Sequence, residues 1–164
     1  MKTVFRLVGI MIFSAALSGA ADFGAGILLG DPTGLCGTVR FSKTRALDLA
    51  LSYDLGDDAD LYLHGDYIFR SSTFIKEDDF FLPFFFGPGA ALSIVTFERW
   101  NRRDFEYEEE TEARLYFRFP AGFLYNFAKH GADLDIFLEL APALRLIPDM
   151  DADIFGALGI RYFF

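Results

Sequence analysis

From residue 114 to residue 127 nearly every second side chain is apolar. Leu115, Phe117, Phe119, Ala121, Phe123, Tyr125 and Phe127 share one face; Arg114, Tyr116, Arg118, Gly122 and Asn126 share the other. Successive side chains of an extended chain point to opposite faces, so this is a strand with one greasy and one polar side. The pattern recurs along the chain. Leu47, Leu49, Leu51, Tyr53 and Leu55 alternate with Ala46, Asp48, Ala50, Ser52 and Asp54. Leu61, Leu63, Gly65, Tyr67 and Phe69 alternate with Tyr62, His64, Asp66, Ile68 and Arg70. Leu134, Ile136, Leu138, Leu140, Pro142, Leu144 and Leu146 stand opposite Asp133, Asp135, Glu139 and Arg145. The last strand sets Ile154, Leu158, Ile160, Tyr162 and Phe164 against Asp153, Ala157, Gly159 and Arg161. No charged residue falls on the apolar side of these five strands. A slip of one residue would move several charges onto that side, so the register is tightly specified.

Three further segments complete the count. Residues 23–29 are short and glycine-rich, and 35–41 set Leu35, Val39 and Phe41 against Cys36, Thr38 and Arg40. Residues 80–97 form a long uncharged run whose length alone would suit a membrane helix. Pro83, Gly87, Pro88 and Gly89 break helices, so it reads as a strand with room for a bulge, with Leu82, Phe84, Phe86, Ala90, Leu92 and Ile94 outward. Eight strands, an even number, predict an all-β fold: an eight-stranded antiparallel up-and-down transmembrane β-barrel. The links on one end are 30–34, 56–59, 98–111 and 148–151. Those on the other are 42–45, 71–79 and 128–132, of which 71–79 is long for a periplasmic turn. Pro120 and Pro142 each remove a ladder donor in a barrel that has no edge. Folding back over 128–132 brings them together, so one shared bulge is expected to absorb both.

The N-terminus indicates export. Lys2 and Arg6 precede an apolar stretch from 7 to 17, and Ser18, Gly19, Ala20 and Ala21 supply small residues for cleavage. Residues 1–20 read as a signal peptide and 21–164 as the barrel domain. Loss of Lys2 and Arg6 takes the net charge from −9 to −11. Such acidity excludes nucleic acid as a partner, because phosphates need a basic surface. The single cysteine, Cys36, cannot form an intramolecular disulfide. A secreted domain of this size then needs another source of stability, which a membrane-embedded closed barrel supplies.

The polar face holds the candidate interior network: Arg40, Asp48, Asp54, His64, Asp66, Arg70, Arg114, Arg118, Asp135, Glu139, Arg145, Asp153 and Arg161. Eight strands leave a lumen just wide enough for side chains to fill. Opposite charges in near balance therefore predict a packed ionic core of Arg–carboxylate pairs, since buried charges are costly unless paired. The competing reading is a narrow pore or proton path through His64 and Asp66. A second fold-level reading is a soluble periplasmic barrel of lipocalin type, with the apolar face inside.

The most unusual stretch runs from Glu98 to Glu112. Arg99, Trp100, Arg102, Arg103, Phe105, Tyr107, Glu108 and Glu110 make it a candidate external surface for a protein ligand, with the aromatics as anchors. The plainer reading is a solvated hairpin whose basic and acidic arms attract across strands. A divalent cation among Glu108, Glu110 and Glu112 would lack a loop signature. Arg99, Arg102 and Arg103 are suited to lipopolysaccharide phosphates. No nucleophile elbow, phosphate-binding loop or paired-histidine metal motif occurs, so neither cofactor nor catalytic site is expected. A lipid A-modifying enzyme is the least supported class, with only His64 and His130 to serve it.

The chain ends Gly159-Ile160-Arg161-Tyr162-Phe163-Phe164. Gly159, Tyr162 and Phe164 look like the signal read by the outer-membrane barrel assembly machinery. With Phe23-Gly24-Ala25-Gly26-Ile27, Gly30-Asp31-Pro32-Thr33-Gly34-Leu35, His64-Gly65-Asp66-Tyr67 and Phe137-Leu138-Glu139-Leu140-Ala141-Pro142, the chain resembles the small OmpA- and OmpX-type barrels in architecture. More closely, it resembles an uncharacterised family of bacterial outer-membrane barrel proteins. The resemblance implies outer-membrane location and lipid contact, and implies no activity.

Overall fold

The computed structural model describes residues 22–54, 59–71, 75–76, 81–101 and 106–164. The expected signal peptide, Leu55, and Arg102, Arg103 and Phe105 lie outside the described residues, as do the side chains of Asp54, Arg99, Trp100, Tyr107 and Glu108.

The strands in chain order are β1 (Asp22–Asp31), β2 (Gly34–Ser42), β3 (Arg45–Asp54), β4 (Ala59–Arg70), β5 (Ile75–Lys76), β6 (Phe81–Leu82), β7 (Phe84–Phe86), β8 (Gly89–Asn101), β9 (Glu106–Arg118), β10 (Ala121–Asn126), β11 (Leu134–Ile147) and β12 (Asp151–Phe163). β7 and β8 form one stave interrupted at Gly87 and Pro88, and β9 and β10 another interrupted at Phe119 and Pro120. Eight staves result, each antiparallel to its neighbours, and β1 closes against β12 with Gly24 opposite Phe163 and Asp31 opposite Gly156. Closure matters physically because it pairs the backbone edges that an open sheet would expose.

Alternation sorts the side chains as the pleat requires. Ile27, Leu63, Phe117, Leu138 and Leu158 are exposed on the outside, while Ala46, Asp66, Ile68, Arg118 and Asp135 are buried inside. A lipocalin-type arrangement, with the leucine and phenylalanine rows converging on a cavity, is therefore not the one adopted.

The prolines sit differently from expectation: no bulge is shared between them. Arg118 faces Ala143 and Ala121 faces Leu140 with the same offset, and on the other side Gly89 faces Arg118 and Phe86 faces Ala121, again with one offset. The Phe119 N–H donates to the Pro142 carbonyl at 2.9 Å, and the Gly87 N–H to the Pro120 carbonyl at 3.0 Å. Each proline keeps its acceptor and loses only its own donor, which a ladder tolerates without changing register. The fifth stave is likewise unbulged: Tyr67 N–H donates to Pro88 at 2.9 Å, in step with Asp66 opposite Gly89. Outside this region the rings of Phe69, Phe84 and Phe119 stack on Phe86 at 5.9, 6.0 and 6.2 Å. Register shifts fall elsewhere, at Arg40/Ser42 and Arg145/Ile147.

The links are shorter than expected where polar sequence looks like loop. Most of the expected 98–111 link is ladder: Phe97 faces Glu110, Arg99 faces Glu108 and Asn101 faces Glu106. Water satisfies charged side chains while the backbone still pairs, so charge content alone does not end a strand. The 71–79 link holds part of a small hairpin, β5 with β6, in which Ile75 faces Leu82. At the 128–132 turn, a 3₁₀ helix (Ala128–His130) is closed by Gly131 at φ 79°, a left-handed conformation that glycine adopts freely.

Candidate functional site

The lumen is built from the inward positions of the staves. Nearest the Asn101/Glu106 end lies an aromatic layer. Tyr62, Tyr116 and Phe155 pack with ring centroids 5.2 to 6.4 Å apart, filled in by Ala91 and Ala143. Next comes Arg118, fully buried on β9. Its Nη2 donates to Glu139 Oε1, its Nη1 donates to the Tyr62 hydroxyl at 3.3 Å, and its Nε lies 3.3 Å from Asp66 Oδ1. His64 Nε2 stands 3.5 Å from Asp66 Oδ2, and His64 is only 5% exposed. Gly89 makes room here: a Cβ at that position would fall 1.7 Å from Asp66 Oδ1.

A second ionic layer centres on Arg161. Its Nη1 donates to Asp48 Oδ2 at 2.8 Å and its Nε to Asp135 Oδ1 at 3.0 Å. The Thr38 hydroxyl donates to the other Asp48 oxygen at 2.5 Å. Arg40 Nη2 reaches the second Asp135 oxygen at 2.7 Å. Aromatic faces support both cations: Arg161 lies over Phe137 at 4.1 Å and Arg40 over Phe163 at 3.4 Å. Gly159 lets the Phe137 ring lie flat against β12, since a Cβ there would meet the ring at 2.1 Å. Charged hydrogen bonds in such a dry site are strong, and each member is costly to leave unpaired.

Nine of the thirteen residues expected inside thus converge: Arg40, Asp48, His64, Asp66, Arg70, Arg118, Asp135, Glu139 and Arg161 are all buried or half-buried. Arg114, Arg145 and Asp153 are half-buried too but lie outside these two layers. Arg114 pairs with Glu112 at 2.6 Å and Arg145 with Asp151 at 2.6 Å, near one rim, where the staves rise past the buried layers. The Asp54 side chain lies outside the described residues. Sequence reasoning left out the supports. Thr38, Tyr62, Phe137 and Phe163 carry no signal of their own beyond inward parity, and their roles appear only when distant strands are brought side by side.

Metal chemistry has little room. His64, Asp66 and Glu139 offer ligand atoms within 4.8 Å of one another, but Arg118 already supplies the positive charge at two of the three. On the hairpin, Glu112 is engaged by Arg114. At the C-terminus, Tyr162 and Phe164 are exposed on the outer face at 52% and 84%, with their rings 5.3 Å apart, while Gly159 is buried.

No protein-family model matches this chain, and no curated protein matches it. Among solved structures, the crystal structure of the N-terminal β-barrel domain of Pseudomonas aeruginosa OprF is similar at 14% identity and a TM-score of 0.49, over 88% of this chain and 96% of that one. The chain's own continuous, closed strand register establishes the barrel.

Proposed function

We propose that this protein is a bacterial outer-membrane barrel, whose lumen is sealed by its ionic layers and whose 98–111 hairpin presents a charged surface outside the cell. One observation carries the reading: a closed barrel that turns its leucine and phenylalanine rows outward and its arginines and acids inward. In water such a continuous apolar belt would drive association. In hydrocarbon it is the favourable surface, and closed strands satisfy every paired backbone group. In this arrangement outer-membrane lipid surrounds the belt. Arg99, Arg102 and Arg103 of the 98–111 segment would meet lipopolysaccharide phosphates, Trp100, Phe105 and Tyr107 would anchor an extracellular protein, and Gly159, Tyr162 and Phe164 would be read by the barrel assembly machinery.

Membrane fractionation followed by electrophoresis with and without boiling tests the location. The expected result is a band in the outer-membrane fraction that migrates faster unboiled than boiled. Mature protein that stays monomeric in buffer without detergent would overturn the proposal. Planar-bilayer recording tests the seal, with no stepwise conductance expected from the wild type.

A further inference from the structure

The two ionic layers are individually unbalanced. Arg118 faces two acids, Asp66 and Glu139. Arg161 and Arg40 face Asp48 and Asp135, and Arg70 adds a third cation on that side of the lumen. The surplus positive charge therefore sits with Arg70, whose Nε and Nη2 are buried without a hydrogen-bond partner. Among the described residues no acceptor reaches these two donors, and a buried guanidinium with unused donors is costly to leave so.

Arg70 opens onto a cavity. At the barrel mouth where β1 begins, a hollow of about 640 Å³ is lined by Arg40, Arg70, Lys43, Ser42, Thr44 and Ser71. Asn126 adds a further polar group and, among the described residues, Asp22 is the carboxylate on its wall, while Phe41, Pro83 and Leu124 form an apolar side. The β2–β3 turn is tied to this floor by the Arg70 N–H, which donates to the Thr44 carbonyl at 2.8 Å. Among the described lining residues Arg70, Lys43 and the Asp135-paired Arg40 supply the positive charge, and with the hydroxyls they describe a receptor for a compact anion. Arginine's planar fork suits a phosphoryl group in particular.

We propose that this mouth pocket binds a phosphoryl anion, held by Arg70 with Arg40 and Lys43, with the apolar wall accepting whatever the phosphoryl group is attached to. The binding belongs to the mouth of the folded barrel and does not depend on which membrane holds it. It is read in an uncharged detergent.

The test uses the full barrel refolded in dodecyl maltoside, with titration calorimetry of two probes: inorganic phosphate, and dihexanoylphosphatidylglycerol below its micellar concentration. Saturable binding of at least one probe is expected, weakened about tenfold or more by Arg70→Gln, as loss of a charged hydrogen bond implies. Binding of the lipid alone assigns a phospholipid headgroup. Binding of both, or of phosphate alone, assigns a free phosphoryl ligand. Saturable binding of neither probe overturns the proposal, as does wild-type affinity in Arg70→Gln. Should Arg70→Gln fail to refold, Lys43→Gln on the exposed turn takes its place, and an unchanged affinity there overturns the proposal equally.

Discussion

Replacing Arg118 by methionine should remove a large share of the stability of this barrel. The side chain is fully buried and bonds Glu139 and Tyr62 while lying 3.3 Å from Asp66. Methionine preserves much of the volume but leaves two buried carboxylates with no cation in contact. Breaking a buried ion pair from one side costs roughly 3–5 kcal/mol, and the lost bond to Tyr62 adds about 1 kcal/mol. A folded domain has only about 5–15 kcal/mol in total. Neutralising the acids as well, in Arg118→Met/Asp66→Asn/Glu139→Gln, should recover the larger part of the loss, because the penalty lies in the stranded charges. Arg145→Met is the control: its partner Asp151 is 60% exposed, and an exposed pair contributes roughly 0–1 kcal/mol. Urea unfolding in phosphatidylcholine vesicles, followed by the fluorescence of the sole tryptophan, Trp100, measures all three. An Arg118→Met barrel within 1 kcal/mol of wild type, or a triple variant no better than the single, would refute the ionic-core reasoning.

Four other substitutions probe the outer face, the glycine positions and the proline ladder. Leu138→Arg, on an outward position 54% exposed in mid-strand, should cost about 2–4 kcal/mol in vesicles if that face meets hydrocarbon, and next to nothing if it meets water. Gly89→Val should abolish refolding on a gel run without boiling, because its Cβ would strike Asp66, whereas Gly131→Ala, with nothing within 4 Å, should lose only about 1–2 kcal/mol to its left-handed backbone. Pro142→Val restores a donor facing the Phe119 carbonyl and should stabilise the barrel by about 0.5–1.5 kcal/mol in the same urea titration; destabilisation would mean the proline ring packs against something the ladder does not show.

The inward and outward assignment of the staves was legible in the linear order of residues. Strand parity is a local property: one residue's side decides its neighbour's, so Leu115, Phe117 and Phe119 declare their face without knowing what lies beside them. The signal weakened where both faces were polar. The 98–111 arms looked like a loop, although Arg99 and Glu108 face each other in a ladder. It weakened too at Pro120 and Pro142, where the missing donors suggested a bulge that an unshifted register makes unnecessary.

Which charge meets which is a different kind of fact. Arg161 and Asp48 are 113 residues apart, and Arg40 and Asp135 are 95 apart. Strand parity shows that the inward acids and arginines nearly balance, but the stagger of eight strands around a closed ring decides their heights in the lumen. That stagger left Arg118 in contact with two acids, and Arg70, among the described residues, near Asp48 but in ion-pair contact with none. Alternation along the chain thus determined a barrel with a greasy exterior and a charged interior. Closure of the ring determined the division of that interior into layers and the unspent guanidinium at its mouth, because contacts between distant strands depend on relative register, which no local pattern encodes.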